Sequence, residues 1–125
     1  MKQEDKELLL RDLCARLPYG VKLHCISNTM ACIGPYTLDT IVLDRFCNKN
    51  TKYVPIDEVK PYLFPLSSMT EEQVVEYDNL IQDIWDKLKD WKCAKLIDWF
   101  NKNHFDYIGL IENGLAIDAT GKNIY

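Results

Sequence analysis

The stretch VKPYLFPLSSMT, Val59 to Thr70, decides how this chain of 125 residues folds. Pro61 and Pro65 forbid a regular helix, while Tyr62, Leu63, Phe64 and Leu66 are too apolar for a free linker. The expectation is an extended strap over 58–69, packed across a sheet rather than marking a domain boundary. Its end is a helix start: Thr70 with Gln73 three residues on forms a capping box, and Glu71 and Glu72 suit the positive end of the helix dipole.

C-terminal to the strap, a helix over about 71–89 gathers Val74, Tyr77, Ile81, Ile84, Trp85 and Leu88 on one face. Another, over about 91–103, brings Cys93, Leu96, Ile97 and Phe100 together. N-terminal to it, residues 4–17 read as a short amphipathic helix with Leu9, Leu10, Leu13 and Leu17 on one face, stopped by Pro18-Tyr19-Gly20. The section 20–57 reads as four short strands: VKLHCIS (21–27), MACIG (30–34), TIVLDRF (40–46) and KYVPID (52–57), where Pro55 suggests an edge. A turn at Asn28-Thr29 would join the first two. The fold class is therefore α+β in a single domain, 1–125: an N-terminal helix, an antiparallel meander or small open barrel, then the strap and a helical section over 70–125 with a closing segment.

Composition sets limits. Three Trp, seven Tyr and four Phe argue against disorder. No apolar run approaches the ~20 residues of a membrane span, and MKQEDKELLL has acids where a secretion signal needs bases, so the expected location is cytoplasmic, without membrane association. Five cysteines, odd in number and without a C-x-x-C pair, predict thiols that are mostly buried rather than a disulfide framework or zinc site. Residues 71–90 hold seven acids against Lys87 and Lys89, a local −5 within a total of −4, which leaves the remainder at +1. No basic stripe is present to neutralise phosphates, so direct nucleic-acid binding is not expected.

Candidate chemistry concentrates in NHFDYIGLIENGLAID, 103–118. His104, Asp106 and Glu112 are the candidates for a small hydrolase or metal-dependent site. A dyad of Cys93 with His104 fails on distance, since eleven helical residues span roughly 16 Å. The competing reading makes His104 a helix C-terminal cap, its partly protonated ring near the last carbonyls, with Asp106 and Tyr107 satisfying backbone groups. That structural reading is preferred. Cys25 and Cys32 would face each other across a hairpin turning at Asn28-Thr29, as a reduced pair. The closing ATGKNIY lacks the spacing of a phosphate-binding loop. No cofactor or metal is expected.

Aromatic side chains exceed what so small a core can centre, and aromatics are enriched at interfaces. Trp99, which falls off the apolar stripe of its helix, leads the candidates for a partner-binding patch, followed by Tyr107, Trp91, Tyr62 and Phe64. The acidic face carrying Glu72, Glu76, Asp83 and Asp90 reads first as a solvated helix face and second as a nucleic-acid mimic.

Three segments, LPYGVK (17–22), KPYLFPLSSMTEEQ (60–73) and NHFDYIGLIENGLAIDATGKNIY (103–125), carry a resemblance. Together they cover about a third of the chain. They resemble an uncharacterised family of short proteins encoded by prophages and mobile elements of gut bacteria. Its closing motif reads more like HHFDYRGLI; here Asn103 stands for the first His and Ile108 for the Arg. The resemblance implies a setting, an accessory protein made in a bacterial cytoplasm from mobile DNA, and no activity, fold or cofactor. The expected function is a non-enzymatic module that binds another protein and modulates a host or phage complex.

Overall fold

The computed structural model describes residues 2–25, 36–38, 59–87 and 90–125; within these, no side chain is described at 25, 36, 84–87 or 90–93. The strands expected over 30–34, 40–46 and 52–57, together with Cys32, lie outside the described residues.

Helix α1, Gln3–Arg16, buries Leu9 and Leu13 of the expected leucine face but leaves Leu10 only half-buried, and it runs into a single 3-10 turn, Leu17–Tyr19, whose Leu17 packs against the core. Gly20 closes that turn in the left-handed region at φ 67, where a Cβ would be strained. Strands β1 (Lys22–Cys25) and β2 (Tyr36–Thr37) are antiparallel, pairing Lys22 with Thr37 and Leu23 with Tyr36. A turn centred on Asn28-Thr29 would instead pair Lys22 with Pro35, so the described register is displaced by two residues from the expected one.

The expected strap is a strand. β3, Val59–Pro65, is the member of the sheet that joins the two halves of the chain. β1 pairs antiparallel with its first part, Leu23 opposite Pro61 and Cys25 opposite Val59. β5 (Ile117–Asp118) pairs parallel with Tyr62 and Leu63, and β4 (Phe105–Asp106) parallel with Phe64 and Pro65. Three partners thus share one strand along its length, and the sheet is mixed rather than an antiparallel meander. The prolines are tolerated because the ladder draws on other groups: Phe64 N–H donates to the His104 carbonyl at 2.8 Å, and the Leu63 carbonyl accepts from Ala119 N–H at 2.8 Å. Pro65 ends the strand, where its missing donor costs little.

Pro61, Tyr62 and Leu63 are buried in succession, so beyond Lys60 β3 has no inside-outside alternation and reads as an apolar run, as strands covered on both faces do. The central cluster joins Leu9 and Leu13 of α1, Val21, Leu23 and Leu38 near β1 and β2, Leu63 of β3, and Leu110, Leu115 and Ala116 of the closing segment.

The capping box forms as its sequence requires. Thr70 N–H donates to Gln73 Oε1 at 2.9 Å, and Gln73 N–H to Thr70 Oγ1 at 3.2 Å. It opens α2, Glu71–Lys87, which packs on α3, Asp90–Lys102. α3 also contacts α1 and β4. No described side chain of α2 is fully buried, and Val74, expected on its core face, is 42% exposed. α2 is thus an outer layer on α3. The 70–125 section is correspondingly not purely helical, since it supplies β4 and β5.

Candidate functional site

Two arrangements of polar side chains stand out, one sealed and one open. The sealed one begins with α1. Leu9, Asp12, Leu13 and Arg16 share its buried face, at the spacing of successive helical turns. Arg16 Nε donates to Asp12 Oδ2 at 2.8 Å with both side chains at 0% exposure. Its Nη2 donates to the Phe105 carbonyl at 2.6 Å, and the guanidinium lies 5.5 Å from the Tyr107 ring centroid. Burial raises the Asp12 carboxyl above the usual range, against the pull of Arg16. Asp12 Oδ1, Arg16 Nη1 and Asn101 Oδ1 are buried without a protein partner. The sequence reading missed this pair, although Asp12 and Arg16 stand four apart on the same face as Leu9 and Leu13.

Asp106 turns away from His104. Its Oδ1 accepts from the backbone N–H of Ile108 (3.3 Å), Gly109 (3.0 Å) and Leu110 (2.9 Å), and its Oδ2 from Ile111 N–H (2.9 Å). One carboxylate thus satisfies the four amides that open the turn 108–114, in the manner of an N-cap. Gly109 and Gly114, at φ 83 and 73, supply the left-handed positions of the turn. Glu112 is exposed on that turn.

His104 ends α3 through its backbone. It adopts φ 61, and its N–H bonds the Asn101 carbonyl at 3.2 Å, a left-handed C-terminal cap. Its ring does not serve the helix carbonyls, as the sequence reading expected. It stacks on Tyr125 with centroids 3.7 Å apart and planes 12° from parallel, and its Nδ1 is buried without a partner. Burial, with Arg16 and Lys22 adding to it, lowers its pKa from 6.5 to about 4, so the ring is neutral at ordinary pH. Among the described residues no hydrogen bond joins His104 to Asp106, and no three His, Cys, Asp or Glu side chains gather as metal ligands.

The expected aromatic patch is largely internal. Trp99 stacks on Phe105 (5.5 Å between centroids), Phe100 on Tyr107 (5.3 Å), and Tyr77 of α2 sits against both Trp99 and Phe100. These contacts fasten α2 and α3 to the closing segment. Tyr62 is buried at 9% exposure, its hydroxyl 3.1 Å from His24 Nδ1. Phe64 packs against Phe105 and Tyr125. The side chain of Trp91 lies outside the described residues.

The open arrangement lies between α2 and α3. A groove of about 560 Å³ is lined by Glu76, Asn79, Leu80, Gln82, Asp83 and Trp99. Trp99 presents its polar edge there: the indole N–H donates to Glu76 Oε2 at 2.9 Å. Trp99 is thus half-buried by the aromatic cluster and half in the groove wall.

Comparison with models of known families, with curated proteins and with solved structures finds no match in any of the three. No helix among the described residues is long and apolar enough to cross a membrane.

Proposed function

We propose that this chain is a non-enzymatic protein-interaction module, an accessory protein of a phage or mobile element that modulates a host or phage complex, with its partner docking in the α2–α3 groove. One observation carries the reading. The Trp99 indole N–H holds the Glu76 carboxylate on the wall of an open groove. A polar group fixed before binding loses little freedom when a partner arrives. Exposed Val75, at 59%, continues the groove stripe one turn before Asn79 and adds apolar contact. The mobile-element setting comes from the resemblance of the three segments alone.

Catalysis by the 103–118 segment finds no comparable support. Asp106 is engaged by four amides, the His104 ring by Tyr125, and Glu112 stands apart on the turn. Acid–base chemistry needs such groups within hydrogen-bond reach of one reacting atom.

Co-purification from host lysate with tagged wild type, Val75→Glu, Asn79→Arg and Glu112→Gln tests the reading, each variant first checked for unchanged unfolding. The expected result is a protein retained by wild type and Glu112→Gln and lost with both groove variants. Equal retention by all four, or retention by none, would remove the groove from the account.

A further inference from the structure

Tyr125 is held from three sides. A turn closed by the Lys122 N–H on the Ala119 carbonyl at 3.1 Å, with Gly121 and Asn123 in left-handed conformations, carries the chain from β5 toward it. The Tyr125 hydroxyl accepts from Lys22 N–H at 2.8 Å and donates to the Tyr62 carbonyl at 2.7 Å, so it bridges β1 and β3. The His104 ring lies nearly parallel to its ring, 3.7 Å between centroids, and Phe64 tilts against it at 5.8 Å. Burial raises the hydroxyl's pKa to about 12, although the residue as a whole is 43% exposed. The ring thus enters hydroxyl first, with its backbone end toward solvent.

These groups specify a ligand chemistry. Lys22 N–H and the Tyr62 carbonyl converge on one atom, which must accept one hydrogen bond and donate another. A hydroxyl does both. An indole N–H would leave Lys22 without an acceptor, a carboxylate would set like charge against the Tyr62 carbonyl, and a plain benzyl ring would leave both backbone groups unpaired. The flat His104 face and Phe64 select an aromatic ring as the carrier of that hydroxyl. The segment that delivers Tyr125 is lightly held. Thr120, Gly121, Lys122 and Asn123 are exposed, Ile124 is half-buried, and none joins the central cluster. Among the described residues, the hydrogen bonds fastening 123–125 to the body are the two at the Tyr125 hydroxyl. Withdrawal of Tyr125 is therefore a local opening, and the bond from Ala119 N–H to the Leu63 carbonyl can stay in place.

We propose that Lys22, Tyr62, Phe64 and His104 form a phenol-binding slot with Tyr125 as its displaceable resident, which takes a para-substituted phenol, free or as the tyrosine of another chain, when Tyr125 withdraws. The slot shares no lining residue with the α2–α3 groove and does not depend on it. Its tether gives Tyr125 a high effective concentration, so the chain's own tail gates entry of an external phenol.

The test uses the full chain carrying Tyr125→Ala, which empties the slot and keeps the backbone, observed by NMR. It is titrated with p-cresol, with toluene, and with acetyl-Lys-Asn-Ile-Tyr-amide, which repeats residues 122–125. p-Cresol is expected to shift the Lys22 amide and the His104 ring signals saturably, and to slow hydrogen exchange at Lys22 toward the wild-type rate. Toluene, lacking the hydroxyl, is expected to bind about tenfold more weakly, as loss of two hydrogen bonds does. The wild type, its slot filled, is expected to respond to p-cresol about tenfold more weakly than the variant, or less. A peptide that binds tighter than p-cresol assigns the slot to a tyrosine-bearing segment, and equal affinities assign it to the ring alone. Both uphold phenol recognition.

Equal binding of toluene and p-cresol would reduce the slot to an apolar hollow and overturn the proposal, as would a Lys22 amide that p-cresol leaves unmoved. An equal response from wild type and variant would place the phenol elsewhere on the surface, with the same consequence. If Tyr125→Ala is unfolded alone, recovery of the native spectrum with p-cresol and not with toluene supports the slot, and recovery with neither overturns it.

Discussion

Among the described residues, Arg16 is a charged side chain fully buried at the junction of α1 with the closing segment. Its guanidinium meets the Asp12 carboxylate and the Phe105 carbonyl away from solvent, and lies near the half-buried Tyr107 ring. Removing one partner of such a pair leaves a buried charge uncompensated. Arg16→Met is expected to cost about 3–5 kcal/mol, whereas Asp12→Leu/Arg16→Met together should recover most of that loss. Urea unfolding of the single and double variants measures both. Asp106 holds four amides, so Asp106→Ala should lower stability by about 3 kcal/mol. Its signature would be faster hydrogen exchange confined to 108–111.

His104 makes a pH prediction with a definite sign. As pH falls from 6.5, the unfolded chain takes up the proton first, and the folded chain does so only near 4. Stability should therefore decline across that window. The full shift would be worth over 3 kcal/mol, and partial solvent access brings the expected effect to about 1–2 kcal/mol. His104→Asn keeps the left-handed backbone tolerable and should flatten the difference in stability between pH 6.5 and 4.

Among elements, β3 decides the architecture, and Tyr125 completes its pairing with β1. Beyond the Leu23–Pro61 pair, the register would next bring Lys22 to Tyr62. The Tyr125 hydroxyl stands there instead, accepting from Lys22 N–H at 2.8 Å and donating to the Tyr62 carbonyl at 2.7 Å. Burial raises its pKa to about 12, which keeps the hydroxyl protonated and able to donate. Tyr125→Phe preserves the stack on His104 but strips both bonds. It should cost about 1–2 kcal/mol and speed exchange at the Lys22 amide. α1, α2 and α3 were legible because helical periodicity and the Thr70–Gln73 box are local signals. The extended conformation of β3 was legible, but its pairing was not, because its three partners lie 34 to 55 residues away along the chain. Its apolar run was the available clue.

At the scale of the molecule, much of the described aromatic surface is engaged within the fold, with Tyr62, Phe100 and Phe105 buried and their ring partners half-buried. Tyr77, Trp99, Phe100, Phe105 and Tyr107 tie the helical layer to the closing segment. What the sequence did carry was the position of Trp99 off its helix stripe, the feature that brings its indole N–H to the groove. The acidic wall was equally visible as a charge pattern, but only the packing of α2 on α3 makes it one side of a groove. His104, Asp106 and Glu112, close in sequence, take separate structural roles: His104 ends α3 and stacks on Tyr125, Asp106 caps the following turn, and Glu112 lies exposed on it.

The most direct measurement is photo-crosslinking in the natural host from a reactive side chain at Asn79, on the groove wall, and in parallel from Glu112, on the exposed turn. The account predicts one recurrent protein adduct from position 79, suppressed by excess wild type and not by Asn79→Arg. A recurrent adduct from position 112 with none from 79 would contradict it.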